Sequence, residues 1–132
     1  MESGVLRSDS IERTDVSNMG VVAPEVGAVN DELGTDEVRA KLWYFGPDDE
    51  TQYHSHSEQE ELFYVVEGEF EVKVEGDGGV EEHGVSSGDF YYAGKGVKHG
   101  HRYVGDDEGV ILGIGAPAVD DLPDDWQDLD EV

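Results

Sequence analysis

The chain has 132 residues, which is enough for one domain with a real hydrophobic core but short for two. It contains no cysteine, so disulfide bonds, thiolate metal ligands and a thiol nucleophile are excluded. The N-terminus carries no charged segment followed by an apolar stretch, and no apolar run approaches the ~20 residues that span a bilayer. We therefore expect a soluble, cytoplasmic protein.

The charge balance is strongly acidic. The sequence has 33 acidic residues against 8 basic ones, a formal net charge of −25. Repulsion at that density destabilises a compact chain at low ionic strength, whereas about 1 M salt reduces the Debye length to about 3 Å and screens most of it. The composition predicts a halophilic protein from a salt-accumulating, haloarchaeal source; an ordinary acidic mesophilic protein is the alternative. Nucleic acid and anionic membranes are not expected as partners, because phosphate contacts need Lys and Arg.

The two ends of the chain lack a strong hydrophobic period. Residues 1–35 are expected to form an arm that packs on the domain or on a partner subunit, with short extended pieces around Pro24 and Gly27. Residues 36–116 are expected to form the folded domain and residues 117–132 a short acidic tail. Within this tail, residues 120–129 could form one helical turn anchored by Trp126 and Leu129.

Between these ends, short apolar runs alternate with turns rich in glycine. The cleanest alternation places Phe70, Val72 and Val74 on one face of a strand. Hairpin turns are expected at residues 67–68 and 76–79. Such short strands, with almost no helical periodicity, predict an all-β sandwich or closed barrel. The predicted strands cover residues 37–45, 53–67, 69–75, 80–85, 90–92, 97–104 and 110–114.

The candidate chemistry lies at three histidines and one glutamate. His54 and His56 are two residues apart, so in a strand both imidazoles project from one face, and Glu61 follows closely. The best fourth partner is His99, which follows a bend at residues 94–96. This mixed nitrogen and oxygen set suits Mn, Fe, Co, Ni, Zn or Cu, and a six-coordinate ion would keep two positions open. Taken singly, each of these residues could equally be a solvated surface group.

The spacing of these residues resembles that of the cupin superfamily. Its first motif, Gly-x5-His-x-His-x3–4-Glu-x6-Gly, is matched from His54 to Gly68, with the leading glycine displaced to Gly46. Its second motif, Gly-x5-Pro-x-Gly-x2-His-x3-Asn, is matched from Gly88 to His99. Gly94 replaces the motif's proline and Tyr103 its asparagine, and neither change removes a ligand.

The resemblance to small single-domain cupins implies a fold and a cofactor. The implied fold is a double-stranded β-helix, a jelly-roll-like barrel with a divalent metal ion (Mn, Fe(II), Zn or Ni) inside it. The resemblance also singles out His54, His56, Glu61 and His99 as its ligands. Since Leu62, Tyr64 and Val66 make the outer face of the ligand strand apolar, the N-terminal arm or a second subunit should cover it. Because cupins commonly dimerise through such a face, we expect a homodimer.

Two further side chains share the strand face of His99 and are expected to face the cavity. His101 could transfer a proton or bind substrate, or it could be packed and hydrogen-bonded to a neighbour. Tyr103 is the other candidate catalytic residue. Gln52 and Tyr44 are expected to line the same cavity, as walls.

Two kinds of function follow from this reasoning. The first is a metal-dependent enzyme, dioxygenase- or isomerase-like, whose oxygen-rich small-molecule substrate chelates the metal. The alternative is a non-catalytic cupin that binds a small molecule or sugar. The ligand set alone does not separate these possibilities, since one scaffold hosts many functions.

The halophile hypothesis makes a simple prediction. The melting temperature should rise between about 0.1 M and about 1 M KCl, over which the Debye length falls from about 10 Å to about 3 Å. Thermal unfolding followed by circular dichroism measures this. A melting temperature that does not rise with KCl would contradict the hypothesis.

Overall fold

The protein folds into two antiparallel β-sheets that share one core. The computed structural model describes residues 3–15, 24–119 and 124–132, with side chains from Gln127 onward in the last segment. The strands are β1 (Arg13–Thr14), β2 (Glu25–Gly27), β3 (Arg39–Phe45), β4 (Tyr53–Ser55), β5 (Glu60–Glu67), β6 (Glu69–Gly76), β7 (Gly79–Ser86), β8 (Phe90–Ala93), β9 (His99–Tyr103), β10 (Gly109–Ala116) and β11 (Asp124–Gln127). A short helix, α1 (Val29–Leu33), and 3-10 turns at Ser8–Ser10 and Leu129–Glu131 complete the described elements.

The strand order identifies the architecture. One sheet has six strands in the order β1-β2-β3-β10-β5-β8, and the other has five in the order β11-β4-β9-β6-β7. All the pairings are antiparallel, and chain-adjacent strands repeatedly alternate between the sheets. The predicted double-stranded β-helix is confirmed. The core between the sheets is built from Phe45, Phe63, Val65, Phe70, Ala93, Tyr103 and Ile111.

The long extended stretch predicted for residues 53–67 is in fact two strands in different sheets. Residues 56–59 connect β4 of the five-stranded sheet to β5 of the six-stranded sheet. The expected hairpin at residues 67–68 is present, and Gly68 has φ of 96° there. A Cβ at this position would lie 2.8 Å from the Tyr103 ring. The turn therefore needs glycine both for its left-handed backbone conformation and for the lack of space.

The N-terminal arm holds a short helix that its sequence did not predict. Helix α1 ends at Gly34, whose φ of 70° provides the left-handed C-terminal cap. Earlier in the arm, the Arg13 guanidinium lies 3.7 Å from the centre of the Tyr44 ring and binds Glu108 at 2.5 Å. Tyr44 therefore faces outward, beneath the arm, and the expectation that it lines the cavity was wrong.

The C-terminal segment also differs from its prediction. Of the predicted helical turn, residues 120–123 lie outside the described residues, while residues 124–127 form β11. This strand pairs with the exposed edge of β4, because unpaired strand edges gain backbone hydrogen bonds from such cover. Leu129 is fully buried, as expected of an anchor. The side chain of Trp126, the other predicted anchor, lies outside the described residues. Lys73 Nζ donates hydrogen bonds to the carbonyl oxygens of Leu129 and Val132 at 2.9 and 3.1 Å. Arg102 binds Asp130 and, at 2.5 Å, Glu50.

The outer face of the six-stranded sheet is apolar and open. Leu62 is 43% exposed and Phe90 63% exposed. The described part of the arm lies at the other end of this sheet, where β1 and β2 pair next to β3. In the single chain, the described arm residues therefore leave β5 and β8 uncovered. Among the described residues, no helix is long and apolar enough to cross a membrane.

Candidate metal centre

Three imidazoles and one carboxylate meet inside one end of the barrel. His54 on β4 is directly opposite His99 on β9, and their ring centres are 4.6 Å apart. Glu61 approaches from β5 in the other sheet, and His56 from the connection between β4 and β5. One ligand atom from each of these residues lies within 4.8 Å of every other. The four residues singled out from the sequence are thus brought together by both sheets.

Backbone carbonyls orient two of the imidazoles. His54 donates its Nδ1–H to the carbonyl oxygen of Gln52 at 2.5 Å, and His99 donates its Nδ1–H to that of Val97 at 3.0 Å. Each bond fixes the tautomer in which Nε2 carries the lone pair. Both rings therefore leave Nε2 as the nitrogen that can bind a metal ion.

The geometry fits a metal ion better than it fits hydrogen bonds within the cluster. Glu61 Oε1 lies 3.0 Å from His56 Nε2 and 3.4 Å from His99 Nε2. Although buried, Glu61 Oε1 and His99 Nε2 make no hydrogen bond of normal geometry within the described residues. Adjacent ligands of an ion with bonds of about 2.1 Å are about 3 Å apart. The spacing of these atoms and their chemistry therefore fit a divalent ion bound between them.

The electrostatics of the cluster also favour ligation. Burial lowers the pKa of His54 to about 4, with a further contribution from His99, so this imidazole is neutral at pH 7. Burial alone would raise the pKa of the Glu61 carboxyl, but close contact with His56 and His99 outweighs burial and lowers the pKa well below its ordinary value. The cluster thus offers a neutral imidazole and an ionised carboxylate, the forms that bind metal.

Comparison with known proteins identifies the family. Residues 41–115, more than half of the chain, match the Cupin domain. The chain belongs to the cupin superfamily. No curated protein sequence is significantly similar to this cupin.

Solved structures with the same fold carry several different names. A sugar phosphate isomerase of the cupin superfamily from Silicibacter pomeroyi has a TM-score of 0.72 and 24% identity, over 87% of this chain and 76% of that one. KdgF from Halomonas sp. has a TM-score of 0.72 and 22% identity, over 89% of this chain and 97% of that one. A recombinant oxalate oxidase in complex with glycolate has a TM-score of 0.62 and 23% identity, over 70% and 50% of the two chains. At these identities the likeness shows the fold alone.

The two candidate catalytic residues of this cupin lie deeper than the cluster. His101 is 2% exposed, its Nδ1 shares a hydrogen bond with the Tyr91 hydroxyl, and its ring meets the edges of Phe45 and Phe63. Burial lowers the pKa of His101 to about 3 and raises that of Tyr91 well above its ordinary value. Tyr103 packs on Phe70 in the core. A catalytic role for His101 or Tyr103 stays a prediction.

Sequence reasoning missed two inward-facing aromatic residues. Tyr91, the partner of His101, stacks on Phe63 with ring centres 4.5 Å apart, and Phe63 in turn lies 5.5 Å from His99. Trp43, rather than Tyr44, packs against the core. Both follow from strand alternation once Phe63 and Phe45 are known to face inward. The expected wall residue Gln52 supplies its backbone carbonyl to His54.

Replacement of His99 tests the centre. His99→Ala should weaken binding of Mn²⁺ or Zn²⁺ by more than the roughly 10–100-fold that loss of an outer partner costs, because a direct ligand is removed. Isothermal titration calorimetry, with bound metal counted by mass spectrometry, measures the affinity and stoichiometry.

His83→Ala is the matched control, since this histidine is exposed on β7 in the same sheet and outside the cluster. It should bind metal like the unmodified protein. One equivalent of metal bound with unchanged affinity in His99→Ala would show that His99 is not a ligand.

Proposed function

We propose that the protein is a metal-dependent enzyme whose substrate is an oxygen-rich small molecule that chelates the ion. The observation that carries this proposal is the convergence of His54, His56, Glu61 and His99 on one point. Four protein ligands leave two positions on a six-coordinate ion, which suits a hydroxy-carbonyl or carboxylate group that binds through two oxygen atoms. The reaction is dioxygenase- or isomerase-like.

The bound ion would polarise a substrate carbonyl or, as Fe(II), activate O₂. The chain's own residues orient the metal ligands and form one wall of the metal site. The carbonyl oxygens of Gln52 and Val97 keep His54 and His99 in the ligating tautomer. The stacked rings of Phe63 and Tyr91 exclude water from the inner side, which leaves the barrel end as the side for substrate.

The named neighbours support an oxygen-rich ligand. Two of them are called sugar phosphate isomerase and oxalate oxidase, and the oxidase structure contains glycolate. A hydroxy acid such as glycolate has the two adjacent oxygen atoms that chelation requires. Proteins with this fold therefore include one named as an oxidase and one named as an isomerase, and the proposal covers both redox and non-redox reactions.

One observation favours the alternative, a cupin that binds a small molecule or sugar without turnover. Proton transfer needs an acid or base that can reach the substrate. Of the two titratable side chains behind the centre, His101 is buried and Tyr91 is partly buried, and they are hydrogen-bonded to each other. Each of these two groups is engaged by the other, which favours binding without turnover.

Metal content and oxygen consumption distinguish these functions. The protein is purified in high salt without added metal, its bound ions are quantified, and glycolate, oxalate and sugar acids are tested for binding and turnover. Iron with substrate-dependent O₂ uptake supports a dioxygenase, and conversion without O₂ supports an isomerase. Binding without conversion supports the alternative. His99→Ala, which should lose metal binding, is the control. Absence of both metal and ligand binding in the unmodified protein would contradict both functions.

We also propose that the protein is a homodimer formed through the outer face of the six-stranded sheet. Cross-strand pairing aligns apolar residues in two rows across β3, β10, β5 and β8. In so acidic a protein, a contiguous apolar face of this kind is costly to leave in water. The rows are Ala40, Ile114, Leu62 and Tyr92, and Leu42, Leu112, Tyr64 and Phe90.

Light scattering coupled to size-exclusion chromatography tests the dimer. Leu62→Glu should shift the protein from twice the chain mass to the chain mass, because the new charge would be buried in the interface. Val80→Glu, an exposed apolar position on β7 of the other sheet, should leave the dimer intact. A monomeric unmodified protein would contradict this proposal.

A further inference from the structure

The C-terminal segment lies against the short strand that carries His54. Strand β4 has three residues, and one residue pair, His54 opposite His99, joins it to β9. The other edge of β4 pairs with β11 at both of its ends, Tyr53 and Ser55. So short a strand has little order of its own and takes it from the neighbours that bind its backbone. The position of His54 should therefore depend on β11 as well as on β9.

Leu129, which follows β11, fills a notch left by a glycine in the five-stranded sheet. Its side chain is 1% exposed. A Cβ added at Gly100 would lie 2.8 Å from Leu129 Cδ1, and 3.1 and 3.2 Å from the carbonyl oxygens of Gln52 and Thr51. The leucine and these two carbonyl groups thus crowd around the same point. The Gln52 carbonyl is also the group that accepts the Nδ1–H of His54 at 2.5 Å.

Residues 51–52 are held between β9 and the C-terminal segment. The Thr51 N–H donates to the carbonyl oxygen of His101 at 2.9 Å, and the Thr51 hydroxyl accepts from the His101 N–H at 3.1 Å. These bonds fasten one side of the turn that leads into β4, while Leu129 packs close by at Gly100. Close-packed neighbours restrict small displacements, so the leucine limits the freedom of the Gln52 carbonyl.

A buried ammonium fixes the leucine in its notch. Lys73 lies directly opposite Gly100 on β6 and is 8% exposed. Its Nζ donates hydrogen bonds to the carbonyl oxygens of Leu129 and Val132 at 2.9 and 3.1 Å. Burying an ammonium is costly unless its donors find partners, so these two bonds hold the segment in a defined position on the sheet.

We infer that Leu129 and Lys73 are positioning residues of the metal centre. With the segment docked, β11 and the Gln52 carbonyl keep His54 in the orientation in which it meets the other three ligands. Undocking loosens residues 51–55 and lowers the fraction of molecules with a complete centre, and the apparent metal affinity falls by that fraction. Docking and metal binding therefore reinforce each other. This inference rests on the proposed function only in that the centre binds a metal ion.

Shortening the leucine tests the inference. Leu129→Ala should weaken Mn²⁺ binding about tenfold or more, the size of effect that follows the loss of a group orienting a ligand. Isothermal titration calorimetry measures the affinity at a temperature at which circular dichroism shows the variant to be folded. Leu129→Met keeps the volume of the side chain and should restore the affinity of the unmodified protein.

A matched control separates positioning from a general loss of stability. Val26→Ala shortens another buried apolar side chain, 7% exposed, in β2 of the N-terminal arm. It should leave the Mn²⁺ affinity unchanged, because β2 pairs with β1 and β3 and carries no metal ligand.

Lys73→Met provides a second variant that does not disturb the notch. It keeps the apolar stem and removes the donors to the two carbonyl groups. We expect Mn²⁺ binding to weaken several-fold, so that the inference stays testable if Leu129→Ala does not fold.

Hydrogen exchange in the unmodified protein tests the reciprocal effect. Saturating Mn²⁺ should slow amide exchange several-fold in residues 51–55 and 124–132, as measured by mass spectrometry. The amides of β1 and β2 provide the comparison and should exchange at the same rate with and without the ion.

Three results would overturn the inference. Unchanged Mn²⁺ affinity in both folded variants rejects it and leaves the metal-dependent function standing. An equal loss of affinity in Val26→Ala also rejects it, because the effect would then be one of overall stability. Failure of the unmodified protein to bind Mn²⁺ rejects the inference and the proposed function together.

Discussion

The contact between Glu61 and the imidazoles of His56 and His99 spans the two sheets, and the centre depends on it. A carboxylate buried at 3.0 and 3.4 Å from two ring nitrogens loses hydration that the two imidazoles replace only in part. A divalent ion at the point where these atoms converge would supply the missing positive charge. The aromatic layer of Phe63, Tyr91 and His101 behind this point keeps it dry on one side, which strengthens every electrostatic interaction there.

Acidic and basic residues occupy different kinds of position in this protein. Acidic residues cover the surface, whereas several of the scarce basic residues have defined structural positions. Arg13 fastens the N-terminal arm over Tyr44, and Lys73 and Arg102 hold the C-terminal segment against the five-stranded sheet. A segment rich in aspartate would otherwise be repelled by a body of the same sign. Specific donors to backbone carbonyls, such as Lys73 Nζ, retain their partners when salt screens longer-range attraction.

The metal ligands and the strand pattern could be predicted from the sequence, because both depend on short, regular spacings. His54 and His56 share a face by strand alternation, and the two motifs place Glu61 and His99 relative to them. The orientation of β3 could not be predicted in the same way. Both of its faces carry large apolar residues, and the structure places Tyr44 under the arm and Trp43 against the core. The pairing of β11 with β4 was equally inaccessible, since about 70 residues of sequence separate the two strands.

Because Glu61 belongs to one sheet and His54 and His99 to the other, the thickness of the core sets the separation of the ligand atoms. Val65 and Phe70, buried between the sheets, act as spacers for the centre although neither touches an ion. Close-packed interiors transmit changes of volume over such distances. Ion-size preference would therefore depend on the whole sandwich, and an affinity series from Mg²⁺ to Mn²⁺ on core variants would measure how the spacing responds. Metal selectivity in this fold can diverge while every ligand is kept.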